Sequence, residues 1–342
     1  MVRCIAPADS ARVFLARVRF ATFTDLSDVA RLGLHVAVGT WLPWRAERRL
    51  AAAIVRMGGR QADGLHARVA RGIAAFLHET HGPAEIATLA DANIAFRWTE
   101  RELVWLWRMS GSPRRRAALV RDVVVTGEEH LRAAVAAGRG ALVLDAFLGR
   151  RVLAREALRQ AGFAVAQLHV HDHGGHLTWL GQRGLRRLHR RLSARAGYDV
   201  VDVVPGSLAY LRGLTARLRR NEVFVTSGLG TAGDKCVAVA ALGTTLAIPT
   251  GMMSLARATG AALLPLVAYE DDAGRDHVVI APPLAPPAPG DAGLVAAARA
   301  YAAVLERWVR RHPAQWFWWY EPPTPNTMRS PAHVLHAAPA ET

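Results

Sequence analysis

Between residues 121 and 270, short β-rich runs alternate with helical runs, and no other feature of the sequence limits the possible folds as much. "VVV" from 123, "ALVLD" from 141, "FAVAQLHV" from 163, "YDVVDV" from 198, "EVFVTS" from 222 and "AALLPLVAY" from 261 have the length and apolar content of buried strands. The stretches near 128–137, from about 150, and over 177–195, 207–220 and 251–258 have a helical texture. Strands that take turns with helices build βαβ units, so the expected fold is α/β, a mostly parallel central sheet covered by helices. Upstream, 62–110 reads as two or three helices, in which Trp98, Trp105 and Trp107 are expected to leave some aromatic surface. Downstream, the proline-rich "PPLAPPAPGDAG" at 282–293 leads into a last helix at about 293–310, and "SPAHVLHAAPAET" reads as a loose end. The expected organisation is a helical, membrane-associating region over 1–110, an α/β domain over 111–320 and a loose tail over 321–342.

The 342 residues are 51% hydrophobic, enough for a large buried core. Cys4 and Cys236 give neither a disulfide framework nor a zinc spacing, which fits a reducing compartment. Net charge is +15 and almost wholly arginine, Lys235 being the single lysine, so an anionic partner is favoured. With no zinc-finger spacing and no basic region followed by heptads, nucleic acid falls behind an anionic membrane surface. The first twenty residues contain no continuous apolar run of the secretory kind. "LGLHVAVGTWLPW" at 32–44 is shorter than the roughly 18–20 residues of a spanning helix. It is also interrupted by His35, Gly39 and Pro43, and it runs into "RAERRL". Such a segment suits either the membrane interface, with Trp41 and Trp44 at headgroup depth, or a buried helix packed on the core.

Several longer stretches carry a resemblance. "GEEHLRAAVAAGRGALVLDAFLG", "LRRNEVFVTSGLG", "ALGTTLAIPTGMMSLARATGAALLPLVAY" and "RRHPAQWFWWYEPP" follow one another in an order similar to the bacterial lipid A biosynthesis acyltransferases, a branch of the lysophospholipid acyltransferase superfamily. The last two are the most specific, and the closing His312, Pro313, Gln315 and Trp316 match the family's ending. The resemblance implies acyl transfer from a carrier-protein or coenzyme A thioester to a hydroxyl on a lipid. It implies a histidine acting as base and an acid five positions later orienting it. It implies no cofactor, no resident metal and a peripheral place on the cytoplasmic face of the inner membrane.

In this chain the histidine's position falls at Phe147 and the acid's at Val152, and neither side chain can move a proton. Of fourteen histidines, only His336 has an acid five positions on, Glu341, and that pair lies in the tail. The family's aspartate after the second strand is displaced as well: Ser227, Gly228, Leu229 and Gly230 stand there, with Asp234 the nearest acid. The densest titratable cluster is "LHVHDHGGH" at 168–176. In an extended strand His169, His171 and His173 would share a face, a possible metal-binding arrangement with His176. Alternatively, Asp145 at the end of "ALVLD" would pair with a ring such as His171 or His173 as a relocated base, if the two strands are neighbours. The bland reading is a solvated strand end. Arg150 and Arg151, with Gly149, Ser227 and Gly228, are candidates for holding a carrier or headgroup phosphate, with surface arginines on a helix's first turn as the alternative.

Two functions remain open on these residues. One is an acyltransferase with a non-standard site; the other is a catalytically dead relative that binds acyl chains, lipid or a partner enzyme.

Overall fold

The computed structural model describes residues 64–169, 178–203, 207–230, 233–328 and 333–337, with scattered positions between 21 and 53. Four helices come first: α1 Leu65–Leu77, α2 Pro83–Thr99, α3 Glu102–Met109 and α4 Pro113–Val120. In α1, Val69, Ile73 and Leu77 repeat every four residues and are buried, the stripe expected of a helix laid on a core. α2 starts at Pro83, whose missing N–H costs nothing at a first turn, and Glu85 Oε2 accepts from Gly82 N at 2.8 Å.

The alternating part then runs β1 Val124–Thr126, α5 Glu128–Ala136, β2 Ala141–Asp145, α6 Arg151–Gln160 and β3 Val165–His169. A π-turn over Leu180–Leu185 passes into α7 Arg186–Arg195, followed by β4 Asp199–Asp202, α8 Leu208–Arg219 and β5 Val223–Ser227. Next come β6 Lys235–Ala241, β7 Thr244–Pro249, α9 Gly251–Thr259, β8 Ala262–Glu270, β9 Asp276–Ile280 and α10 Gly290–Arg311. β10 His333–His336 comes last.

Seven strands form one sheet in the order β1-β9-β8-β2-β5-β3-β4. All its pairings are parallel except β8 with β9. The α/β expectation holds, and the reason is visible in β2, where all five residues are buried because helices cover both faces. Leu142 and Leu144 enter a core with α1, α2, α8, α9 and α10, while Ala141 and Val143 enter one with α5 and α6. A third cluster, Trp105, Leu106, Met109, Val152, Leu153 and Leu192 among its members, joins α3, α6 and α7.

Three features depart from the sequence reading. β6 and β7 form an antiparallel hairpin that was not anticipated, closed by Leu242 and Gly243, both at positive φ, as a two-residue turn of this kind requires. Part of the expected loose tail is ordered: β10 pairs in parallel with β6, from His333 opposite Lys235 to His336 opposite Ala238. Trp105 is buried, and Trp98 and Trp107 are half-buried against the cores, so the aromatic surface expected there is small. Among the described residues no helix is long and apolar enough to cross a membrane. Trp41 and Trp44 lie outside them.

Candidate active site

In an open α/β sheet the chemistry gathers where the parallel strands end. β2, β5 and β3 are adjacent there. Asp145 is level with Ser227 in the register, and continuing the Gln167 to Val225 pairing by two residues sets His169 level with Ser227 as well. Side chains alternate along a strand, so Asp145, two on from Val143, points to the α5 and α6 face. Because β5 stands between β2 and β3, Asp145 does not meet the histidine strand directly, and the expected Asp145 pairing with His171 or His173 does not follow from strand neighbourhood. His171, His173 and His176 lie outside the described residues.

At the end of β2 the polar groups are fully engaged. Asp145 Oδ1 accepts from Phe147 N at 2.8 Å, the local turn that short acidic side chains favour, and Oδ2 accepts from Arg151 Nε at 2.6 Å. The Asp145 carbonyl accepts from Tyr301 Oη at 3.1 Å and from Gly228 N at 3.0 Å. Phe147 is buried, with φ at 54°, a conformation that L side chains adopt only when the surroundings hold it. Its ring lies 5.2 Å from that of Trp318 and 6.0 Å from that of Phe317, with the Arg151 guanidinium 3.6 Å above it, and its carbonyl accepts from Phe317 N at 3.0 Å. Val152 points into the α3, α6 and α7 cluster. The Phe147 and Val152 positions are thus packed hydrophobic sites.

The residues expected to hold a phosphate are committed elsewhere. Arg150, 2% exposed, donates to Glu100 at 2.8 Å and also to Glu270 and Asp276, so its charge is matched inside the protein and not offered to a ligand. Gly149 has φ at 63°, and a Cβ there would stand 2.2 Å from the Ala268 carbonyl oxygen. A Cβ on Gly228 would stand 2.0 Å from Tyr301 Oη. Both glycines serve close packing. Ser227 Oγ closes a turn, accepting from Leu229 N at 3.1 Å and donating to the Leu229 carbonyl. Arg151 is the exception: it is partly exposed and charged, burial working against that charge while Asp145 and then Glu102 more than offset it.

Glu102 marks a second polar centre on the same edge. It opens α3, and its carboxylate meets His189 from α7 and His169 from the end of β3. His189 Nε2 is 3.6 Å from Glu102 Oε1, and the two imidazole centroids are 4.2 Å apart. Oε1 accepts from Arg155 Nη2 at 2.9 Å and Gln167 Nε2 at 3.1 Å. Burial would raise the Glu102 pKa, but Arg155, His189 and His169 prevail and hold it well below the usual carboxylate range. His189 is buried and neither ring nitrogen has a hydrogen-bond partner. The sequence named His169 but missed Glu102 and His189, whose meeting depends on three elements far apart in the chain; a lone glutamate at a helix start and a histidine amid arginines gave no signal.

The closing segment locks this edge. Gln315 exchanges two 2.8 Å hydrogen bonds with the Glu270 backbone, Gly149 N donates to the Gln315 carbonyl at 3.2 Å, and Asn93 Nδ2 donates to the carbonyls of Ala314 and Trp316. Trp316 and Trp319 are buried, in keeping with a packing role for "QWFWWY".

A comparison with curated proteins finds no match. The sequence profile of the bacterial lipid A biosynthesis acyltransferases matches residues 33–321, which takes in the helices before the sheet, the whole sheet edge described above and the closing His312-to-Trp316 segment. A match over that much of the chain makes this protein a member of the bacterial lipid A biosynthesis acyltransferase family.

Proposed function

We propose that the protein transfers an acyl chain from a carrier-protein or coenzyme A thioester to a lipid-type hydroxyl, and that the hydroxyl loses its proton at the Glu102, His169 and His189 centre instead of at Phe147. The observation that carries this reading is the pair of unpartnered nitrogens on buried His189, held against a carboxylate at the same sheet edge as the family's base position. Removing a hydroxyl proton needs either an imidazole oriented by a carboxylate or a cation that stabilises the alkoxide, and these side chains are suited to both. Arg151 sits between the two centres electrostatically, sensing both Asp145 and Glu102, so a developing oxyanion at the edge has a cation nearby.

The outer face of α7 supports an anionic donor or surface. Arg187, Arg190, Arg191 and Arg195 are exposed while His189 and Leu192 of the same helix face inward. An acidic carrier protein, the phosphates of coenzyme A or anionic headgroups all suit that face, and the same charge supports the reading of a peripheral position on the cytoplasmic face of the inner membrane. Binding to anionic vesicles that weakens with added salt is the expected outcome of a sedimentation assay; indifference to such vesicles at low ionic strength removes the membrane part of the reading.

The decisive experiment is intact-mass detection of acyl transfer from acyl carrier protein and from coenzyme A thioesters to lipid hydroxyl acceptors. Turnover is expected in the wild type, lost in Glu102→Gln and His189→Gln and kept in Asp145→Asn. A second reading, a binding protein without turnover, is favoured by the closed Phe147 corner; absence of transfer from every donor, with acyl chains or lipid still bound, selects it.

A further inference from the structure

We infer that Glu102, His169 and His189 form a zinc site in which two imidazoles and one carboxylate leave a fourth position open. Among the described residues no other three metal-ligating side chains converge in this way, and one ligand atom from each lies within 4.8 Å of the others. Zinc bonds to imidazole nitrogen and carboxylate oxygen are about 2.0–2.2 Å, so small side-chain rotations draw this group onto one ion. Independent support comes from His189. Its side chain is 8% exposed, and both ring nitrogens lack a hydrogen-bond partner, which is costly for a buried imidazole unless a ligand completes it.

The surroundings fit a metal of this type. Arg155 and Gln167 both donate to Glu102 Oε1 and leave Oε2 without either bond, the outer support that metal-binding carboxylates usually have. Arg155 also neutralises one negative charge. Magnesium and calcium, which rely on several oxygen donors, are therefore disfavoured, and an ion that gains most from imidazole nitrogen is preferred.

The role of the ion rests on the acyl-transfer reading, although its binding does not. A hydroxyl taking the fourth position would be acidified and would release its proton to water, since the three side chains would then be ligands. Its oxygen then forms a bond to the thioester carbonyl carbon, the carbon–sulfur bond breaks, and the departing thiolate takes up one proton to leave as a thiol. Electrons and protons balance with no further reactant.

Metal analysis of the full chain after dialysis against zinc should find one zinc per chain, and cobalt(II) in its place should give the visible absorption of a four-coordinate nitrogen and oxygen site. Both signals should vanish in His169→Ala and in His189→Gln. Gln167→Leu, which only loosens the carboxylate, should weaken zinc binding about 10- to 100-fold with an unchanged circular dichroism spectrum. If His189→Gln fails to fold, wild-type stoichiometry, the cobalt spectrum and Gln167→Leu still decide. A wild type that takes up no zinc, or zinc that survives His189→Gln and leaves only with His171→Ala and His173→Ala, overturns the inference. Zinc bound without acyl transfer from any donor keeps the site and removes the function proposed above. Transfer at full rate after a chelator has stripped the metal removes the metal's role and keeps that function.

Discussion

At the end of β2, Asp145 has given one oxygen to its own turn and the other to Arg151; two strands along, beside the end of β3, His189 of α7 stands 3.6 Å from Glu102 Oε1 with neither ring nitrogen in a hydrogen bond. Both corners bring a carboxylate and rings to the same edge of one sheet, but only the first is complete. There the Asp145 carboxylate is met by Phe147 N and Arg151, and its carbonyl by Tyr301 Oη and Gly228 N. The second is assembled from α3, β3 and α7 and keeps unused capacity. The turn after β2 is packed by aromatic rings, while the buried imidazole without hydrogen bonds lies two strands away.

The comparison breaks most visibly through Arg150, which anchors the complete corner with Glu100, Glu270 and Asp276. Arg150→Met removes the buried cation that Glu100, Glu270 and Asp276 share, and the expected loss of stability is about 3–5 kcal/mol, read from urea unfolding. A loss below about 1 kcal/mol would mean that the cluster is solvated and that Arg150 is free for a ligand. Phe147→Ala empties the ring's place against Phe317 and Trp318, and about 3 kcal/mol is expected, the low end for a buried aromatic. Asp145→Asn keeps the acceptor for Phe147 N and loses the ion pair to partly exposed Arg151, so a smaller loss, about 1–2 kcal/mol, is expected. Of these three changes, only Arg150→Met and Phe147→Ala should collapse the corner; none should touch zinc binding if the two corners are independent.

How much of this was legible beforehand follows the same division. β2, β3, β5 and β8 were readable because each is a short apolar run bounded by breakers, and the match of "HPAQW" to the family was readable because rare residues stand in order. β6 and β7 were not, since "KCVAVAALGTTLAIP" sits inside a stretch whose glycine drew attention to a turn before a helix, and a two-residue hairpin at Leu242 and Gly243 lacks the usual asparagine or aspartate. β10 was missed because a strand of four residues is stabilised by its partner β6, a long-range pairing that no local pattern announces. The arginines were assigned by type: Arg150 and Arg151 are neighbours in sequence, yet the helix start turns one inward to three acids and leaves the other at the edge. Phe147 was read correctly as a residue that cannot move a proton, but its left-handed backbone could not be inferred from a phenylalanine.

The smallest effect concerns His312, which stands at the end of α10 just before the closing segment and sharpens the comparison through a titration. Its ring stacks on Tyr269 with centroids 4.1 Å apart, and Asp272, His277 and Arg311 are the charged or titratable groups that act on it. Burial lowers its pKa first and Arg311 second, with Asp272 opposing and His277 adding a little. A histidine whose folded pKa lies below its unfolded value of about 6.5 binds fewer protons when folded than when unfolded across that interval. Stability therefore rises with pH there: the contribution is fully present above the unfolded pKa and is lost as pH falls through it toward the folded pKa. Urea midpoints, followed by the fluorescence of Trp316, Trp318 and Trp319, should fall between pH 7 and 5, and His312→Gln should flatten that slope without changing the zinc content. A slope that survives the substitution would show that the burial of His312 against Tyr269 is not what makes stability depend on pH there.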